Sequence, residues 1–455
     1  MRLASPWIPR LSDSAARPAD RLAQALEEDI HAGRIPAGAR LPAHRDLAYR
    51  LGIGLGSVTK AYQRLEALGL VASAQGRGMF VRHSDLSLSP PLDLSLNAPP
   101  QMLSDQFLAM SLSKLARRLD AASFGAYVPP AGRADHREAK AGWLRDMGIP
   151  ATGARTLLCN GAQQALAVAV DLMDAAGVQI LVEPVTYPGI LDLCRRRGIT
   201  PLPIAADADG LLPEALERCL HALKAEGRRG AIYLMPTIHN PTTSTLPAAR
   251  REAIVRLCRA YDALILEDDV YAPLADSGPP ALAHLAPERV FYVGSLSKIV
   301  SPGLRMGWLV VPPPFAAASE AILASSTTTA APLSCFLLVT WLEDRAVDTL
   351  MVALKQEAAT RRALAEAVFA DALPEARIAG FHLWLPRPLA EAERLAAAAQ
   401  ARGLLLLPPR SFALEGTEAA GVRLCLGPPP HAELERALRL FKRLATDASS
   451  QRANI

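Results

Sequence analysis

Five short apolar runs, Gln179–Pro184, Ala231–Pro236, Ala263–Asp269, Val290–Ser295 and Trp308–Pro312, are what most constrain the fold of this 455-residue chain. Each has the length of a strand. Stretches between some of them, such as Leu246–Tyr261, have the length and apolar content of a crossover helix. Buried strands separated by such crossovers predict an α/β domain on a mostly parallel sheet. From about Ala330 the pattern changes to a long Ala/Leu-rich helix, then short strands near His382–Leu385, Leu404–Leu407 and Val422–Leu426. This predicts a smaller α+β lobe at 326–455, after a large domain at 99–325. No internal repeat is visible.

The first 82 residues follow a different rule. Leu22, Leu26 and Ile30 recur every four residues and line one face of a first helix. A second short helix, about Ala43–Leu51, buries Leu47, Ala48 and Leu51. A third, about Gly56–Leu68, carries an apolar stripe of Val58, Ala61, Leu65 and Leu68 and a polar stripe of Ser57, Lys60 and Arg64. Two short runs around Val71 and Met79–Val81 flank Gln75-Gly76-Arg77-Gly78, a hairpin with an arginine at its tip. Three helices followed by such a wing predict a winged helix-turn-helix, whose third helix enters the major groove of double-stranded DNA. Charge agrees: residues 1–82 hold 12 Lys/Arg against 7 Asp/Glu, and the rest of the chain holds 37 against 38. A positive excess confined to one domain suits a polyanionic partner. Between the two blocks, residues 83–98 are rich in proline and serine without a helical period, and read as a linker.

Half of the residues are hydrophobic and 21% are charged, the balance of a soluble globular protein. The first twenty residues contain no apolar signal-like core, and no apolar run reaches the roughly 18 residues of a membrane span. A cytoplasmic protein without a membrane partner is the expectation. The six cysteines, Cys159, Cys194, Cys219, Cys258, Cys335 and Cys425, form no C-x-x-C pair and read as small core residues in a reducing compartment. No metal site is expected.

The larger block concentrates polar residues at its strand ends. Ser295-Leu-Ser-Lys298 follows a strand, and Arg305 lies seven residues on. A lysine so placed, among hydroxyls and next to an arginine, suits pyridoxal 5'-phosphate, which needs an amine to form an aldimine and a cup for its phosphate. Ser295, Ser297 and Arg305 supply donors and charge for that cup. Cys159-Asn-Gly161-Ala162-Gln163 ends a strand and opens a helix, so its N–H groups point at an anion. Asp268 closes an apolar run and would pair with the pyridinium nitrogen. Tyr271 and Asn240 would hydrogen-bond the ring phenolate oxygen, and Tyr187 would stack on the ring.

Two resemblances join these readings. The segments Gly33-Arg-Ile-Pro-Ala-Gly-Ala-Arg-Leu-Pro-Ala-His-Arg-Asp-Leu-Ala48, Val58-Thr-Lys-Ala-Tyr-Gln-Arg-Leu65 and Gln75-Gly-Arg-Gly-Met-Phe-Val81 resemble the GntR family over about Pro18–Arg82. The match implies DNA contacts at Arg45, Ser57, Thr59, Lys60, Arg64 and Arg77, most of them to phosphate. Gly54-Leu55 stands where the family carries Ser-Arg, so a base-reading arginine is not implied there. From about Asp93 onward, the order Gly161, Tyr187, Asn240, Asp268, Tyr271, Lys298, Arg305, Arg423 resembles the fold-type I aminotransferases. That likeness implies that Arg423, in Gly421-Val-Arg423-Leu, holds a ligand carboxylate. It also implies that Tyr127 reaches the phosphate of a neighbouring subunit in a homodimer. Thr243 replaces the glycine usual after Asn-Pro-Thr.

The two blocks in one chain resemble the MocR subfamily of GntR regulators. The fold expected is α/β: a winged helix-turn-helix domain (1–82), a linker (83–98) and a fold-type I aminotransferase-like domain (99–455). Three functions are compatible with it: a regulator that senses the cofactor or its aldimine with an amino-acid or amine effector, a working aminotransferase with an incidental N-terminal domain, and a sensor of free cofactor alone. The basic N-terminal domain favours a regulator whose transaminase activity is residual.

Overall fold

The computed structural model describes residues 7, 11, 17–31, 34–36, 38–67, 70–74, 78–81, 91–119, 125–275, 277–370 and 372–452. The chain divides between Pro91 and Leu92 into two compact units.

The smaller unit has the three helices and the hairpin that periodicity implies: Pro18–His31, His44–Leu51, Leu55–Ala67, then Val71–Ala74 paired antiparallel with Gly78–Val81. Leu22, Leu26, Leu47, Val58, Ala61 and Leu65 meet in one core. Tyr62 is also buried there, and its hydroxyl donates to the Pro42 carbonyl at 2.8 Å, fixing the entry to the second helix. Gly52 ends that helix in the left-handed region (φ 62°), and its N–H returns to the last turn. The hairpin tip, with Arg77, and Leu68 lie outside the described residues.

The larger unit is built on a seven-stranded sheet. Its order is Thr156–Cys159, Gly307–Val310, Val290–Ser295, Leu264–Asp268, Arg229–Leu234, Val178–Val182 and Leu202–Pro203. All the neighbouring pairs run parallel except those made by Gly307–Val310, which is antiparallel to both its neighbours. An apolar run carries no sign of its direction, so this reversal was not readable from the sequence. Helices such as Ala162–Ala175 and Ala248–Ala260 connect the strands and bury apolar faces on the same core.

The smaller lobe departs from expectation in three ways. The long helix expected after Ala330 is two helices, Pro332–Glu343 and Ala346–Phe369, broken where Arg345 takes φ 54°. The strand expected over Leu404–Leu407 is only Leu404–Leu405, and it stays out of the lobe's sheet of Arg377–Ala379, His382–Pro388 and Ala419–Cys425. It pairs in parallel with Leu92–Asp93. Residues 92–98 of the expected linker therefore belong to the larger unit, and residues 83–90 lie outside the described residues. Two strand residues are too few to show a period, and the flanking prolines hide them. No helix among the described residues is long and apolar enough to cross a membrane.

Candidate functional site

Parallel strands deliver their C-terminal ends to one edge of a sheet, where binding crevices form. Here Asp268, Ser295, Ser297, Lys298 and Arg305 come together at that edge with Ala162, Gln163, Tyr187, Asn240 and Tyr271, around a cavity of about 190 Å³. An outer cavity of about 650 Å³ adjoins it, sharing Gln163, Tyr187, Asn240 and Lys298 and adding Arg423, Ser95 and Asn97.

One end of the inner cavity is an anion cup. Gly161 (φ 89°) precedes the helix Ala162–Ala175, and a Cβ on it would lie 2.8 Å from the Arg305 guanidinium. Arg305 donates to the Asn160 carbonyl at 3.2 Å. Gly307 lets its strand touch the helix start: a Cβ there would come within 2.7 Å of the Ala162 nitrogen. Ser295 Oγ lies 2.9 Å from Ser297 Oγ and accepts from the Ser297 N–H at 3.0 Å. Helix N–H groups, a guanidinium and hydroxyls thus converge on one spot.

Other residues lining the cavity are buried and incompletely paired. Tyr233 donates to Asp268 Oδ2 at 2.9 Å, while Asp268 Oδ1 and the Tyr271 hydroxyl are buried with no hydrogen-bond partner among the described residues. Burial pushes the Asp268 carboxyl up to about 7, against the hydrogen bond from Tyr233 that favours its charge. Burial also pulls the Lys298 ammonium down to about 8, where a neutral amine is accessible. The Lys298 amine donates to the Asn97 carbonyl. Tyr187 donates to Gln163 Oε1 at 3.1 Å, which orients its ring on the cavity wall.

Arg423 is buried in the small-lobe strand Ala419–Cys425 and donates to Asn240 Oδ1 and to the Ser95 carbonyl, both at 2.8 Å. It thus borders the outer cavity, and Asn240 bridges it to the inner one. Thr243 adopts φ 64°, so the loop keeps a glycine-like backbone with a branched side chain in it. Tyr127 is 94% exposed and lines neither cavity of the single chain.

Several site residues escaped sequence reasoning. Tyr233 stands mid-strand and reads as core. Ser95 and Asn97 fell within the expected linker. His382 lies 5.7 Å from the Tyr271 ring, and burial together with the Arg423 charge pulls its imidazolium down to about 3. It stands opposite Cys425, two residues from Arg423, in the small-lobe sheet.

In the smaller unit, Arg45 and Lys60 are exposed, and Ser57 and Thr59 are half-buried on the third helix. Thr59 Oγ1 donates back to the Leu55 carbonyl at 3.1 Å. Arg64 is exposed as well, yet pairs with Asp20 of the first helix at 3.0 Å. Among the described residues no cluster of His, Cys, Asp or Glu is arranged to hold a metal ion.

Residues 89–441 match the family described as aminotransferase class I and II, and residues 18–81 match the bacterial regulatory proteins of the gntR family, which implies DNA binding. YdeF, an HTH-type transcriptional regulator of Bacillus subtilis (strain 168), is 28% identical over 97% of each chain. The HTH-type transcriptional regulator TauR of Rhodobacter capsulatus is 30% identical over 86% of this chain and 89% of its own. The multiple substrate aminotransferase of Thermococcus profundus superposes with a TM-score of 0.71 at 22% identity, covering 80% of this chain and 94% of its own, a likeness of fold. With a gntR-type reader followed by an aminotransferase-like domain, the chain belongs to the aminotransferase class I and II family and is an HTH-type transcriptional regulator of the MocR-type architecture.

Proposed function

We propose that the protein binds pyridoxal 5'-phosphate covalently at Lys298 and senses an amino acid or related amine there, and that occupancy sets how a cytoplasmic homodimer holds operator DNA. The observation that carries this reading is the pair of unpartnered buried atoms, Asp268 Oδ1 and Tyr271 Oη, on residues that line the same cavity as the anion cup. A buried polar group without a partner is costly, so such a pair asks for a ligand with complementary atoms. A pyridinium nitrogen answers Asp268, a phenolate oxygen answers Tyr271 and Asn240, and a phosphate answers the cup. When bound, this cofactor supplies an electrophilic aldehyde carbon that captures amines and a ring that withdraws electrons.

The chain's own residues have these roles. Asp268 holds the ring nitrogen in its protonated form. Gly161, Ala162 and Gln163 offer the helix start to the phosphate, with Ser295, Ser297 and Arg305 beside it. Tyr187 covers the ring face. The depressed Lys298 ammonium would yield the neutral amine that holds the cofactor's aldehyde carbon. Arg423, whose Nε–H is buried without a partner among the described residues, takes the effector's carboxylate in a bidentate grip beside the Ser95 carbonyl it already holds. Crowding there draws on the small lobe and on the segment that leads back to the linker. The exposed Tyr127, with Met110 and Leu112 on the helix Asp105–Ala116, supports a second copy packing here. In the reader, Arg45, Ser57, Thr59 and Lys60 face DNA, and Arg77, outside the described residues, is assigned a DNA contact on its sequence match alone. Arg64 joins them only by giving up Asp20.

Arg423→Ala tests the coupling. The variant is expected to keep the cofactor and basal operator affinity while losing the effector's influence on that affinity, measured by operator titrations with and without an amino-acid panel. A variant that responds as the parent does would discard the carboxylate grip as the switch and favour sensing of the free cofactor.

A further inference from the structure

Asn97 was read as linker, and no role for it follows from the cofactor. Its backbone carbonyl receives the Lys298 amine, and two residues earlier the Ser95 carbonyl receives Arg423. Asn97 lines the outer cavity, and both its amide atoms, Oδ1 and Nδ2, are buried with no hydrogen-bond partner among the described residues. A primary amide carries two donors and an acceptor, and leaving all of them buried and unpaired is unfavourable. The ligand of this cavity is therefore expected to bring the missing partners.

Resting on the effector reading above, we propose that Asn97 is a specificity-determining residue whose amide reads an uncharged polar group, a carboxamide or a hydroxyl, on the side chain of an amino-acid effector. The effector's amine is taken at the Lys298 position and its carboxylate by Arg423, so only its side chain remains for Asn97. A carboxylate there would pair with the amide N–H groups and leave Oδ1 unpaired. An ammonium would do the reverse, and an alkyl group would answer neither. A carboxamide or hydroxyl both donates and accepts, and satisfies the two ends together. Ala167, Leu193 and Leu407 on the same wall accommodate the intervening carbons. The charged residues of that wall, Asp192 and Arg196, are exposed to water, where ion pairing contributes little. The buried amide is the sharper discriminator, because a site built to hydrogen-bond a group penalises the analogue that lacks it.

The test uses the full-length, cofactor-loaded protein. L-glutamine, L-serine, L-norvaline and L-glutamate are titrated while the cofactor's absorbance is followed. Glutamine or serine is expected to bind at least about 10-fold more tightly than norvaline. Asn97→Ala is expected to erase that preference while leaving norvaline within about threefold of its parental affinity, and Asn97→Ser to restore part of it. The melting temperature of Asn97→Ala is expected to hold or rise, since an unpaired buried amide has been removed. A fall of several degrees would mean that the amide serves the fold, and would overturn the proposal. So would a parental preference for norvaline or glutamate, or a preference that survives Asn97→Ala. A spectrum that responds to all four compounds alike defeats this inference alone. Silence from every amino acid defeats it together with the effector reading.

Discussion

The reader and the sensor place their functional side chains in opposite surroundings. In the smaller unit Arg45 and Lys60 project into water from helices whose other faces are packed. In the larger one Asp268 is buried and Lys298 half-buried at the edge of the seven-stranded sheet, and Arg423 is buried on the small-lobe strand. Exposed cations act on a polyanion through counterion release, an effect spread over many groups and graded with salt. Buried groups act through desolvation and specific partners, so each is nearly indispensable and sensitive to pH. A long duplex can only be met on a surface, whereas a small molecule can be surrounded. The difference in burial follows from the difference in ligand.

The contrast is broken most directly at Lys298. Lys298→Ala is expected to abolish all borohydride-fixed cofactor, checked by mass spectrometry of the peptide, without loss of folding. Retained reducible cofactor would mean that another amine serves. On the surface side, Arg45→Ala is expected to weaken operator binding and to lower the salt slope by about one, leaving the cofactor spectrum alone. Arg64→Ala is expected to do distinctly less, because its guanidinium already pairs with Asp20 in an exposed bridge of the kind contributing about 0–1 kcal/mol. Equal effects from the two variants would show that Arg64 swings to the DNA.

The buried side should show its pH dependence in the empty protein. Lys298 must lose its proton before attachment, so the rate of cofactor capture is expected to rise about tenfold per pH unit up to about 8 and then level off. The sign follows from burial: the folded protein disfavours the ammonium, so the cost of charging it grows as pH falls below the ordinary lysine value and is full once pH is below about 8. A stopped-flow profile still rising well above pH 8 would mean that the amine is not desolvated. The smallest effect belongs to Thr243→Gly, which relieves a left-handed backbone and is expected to raise stability by about 1 kcal/mol at most, read by denaturant titration.

Burial also decided what the sequence could disclose. Asp268, Lys298 and Arg305 were legible because a polar residue at the end of an apolar run is conspicuous, and parallel strands bring such ends together. Tyr233 was not, since a tyrosine inside a strand is chemically indistinguishable from core until a carboxylate is found beside it. The run Trp308–Pro312 reads as a strand but gives no sign that the strand formed, Gly307–Val310, runs antiparallel to its neighbours. Ser95 and Asn97 escaped for a different reason: both contribute backbone carbonyls, which every residue has, so no residue type marks the spot. In the reader, periodicity placed the basic stripe on the correct helix. It could not tell that Arg64 had a partner, because Asp20 lies 44 residues earlier in the chain.

The contacts of the Ser95 and Asn97 carbonyls bear on the dose at which this regulator responds. Leu92 and Leu94 donate to the carbonyls of Gly403 and Leu405, and the residues that follow reach Arg423 and Lys298. The chain thus keeps its own stand-in on the two cations that incoming ligands need. An effector that binds as proposed above would compete with this resident segment, and its apparent affinity would be lowered by the fraction of time the stand-in is in place. With an effector read as proposed above, the set-point of the switch would lie in the backbone of residues 92–96, directly after the linker. A lineage could raise or lower its threshold there, by stiffening or loosening those residues, while the side chains that recognise cofactor, effector and DNA stay as they are.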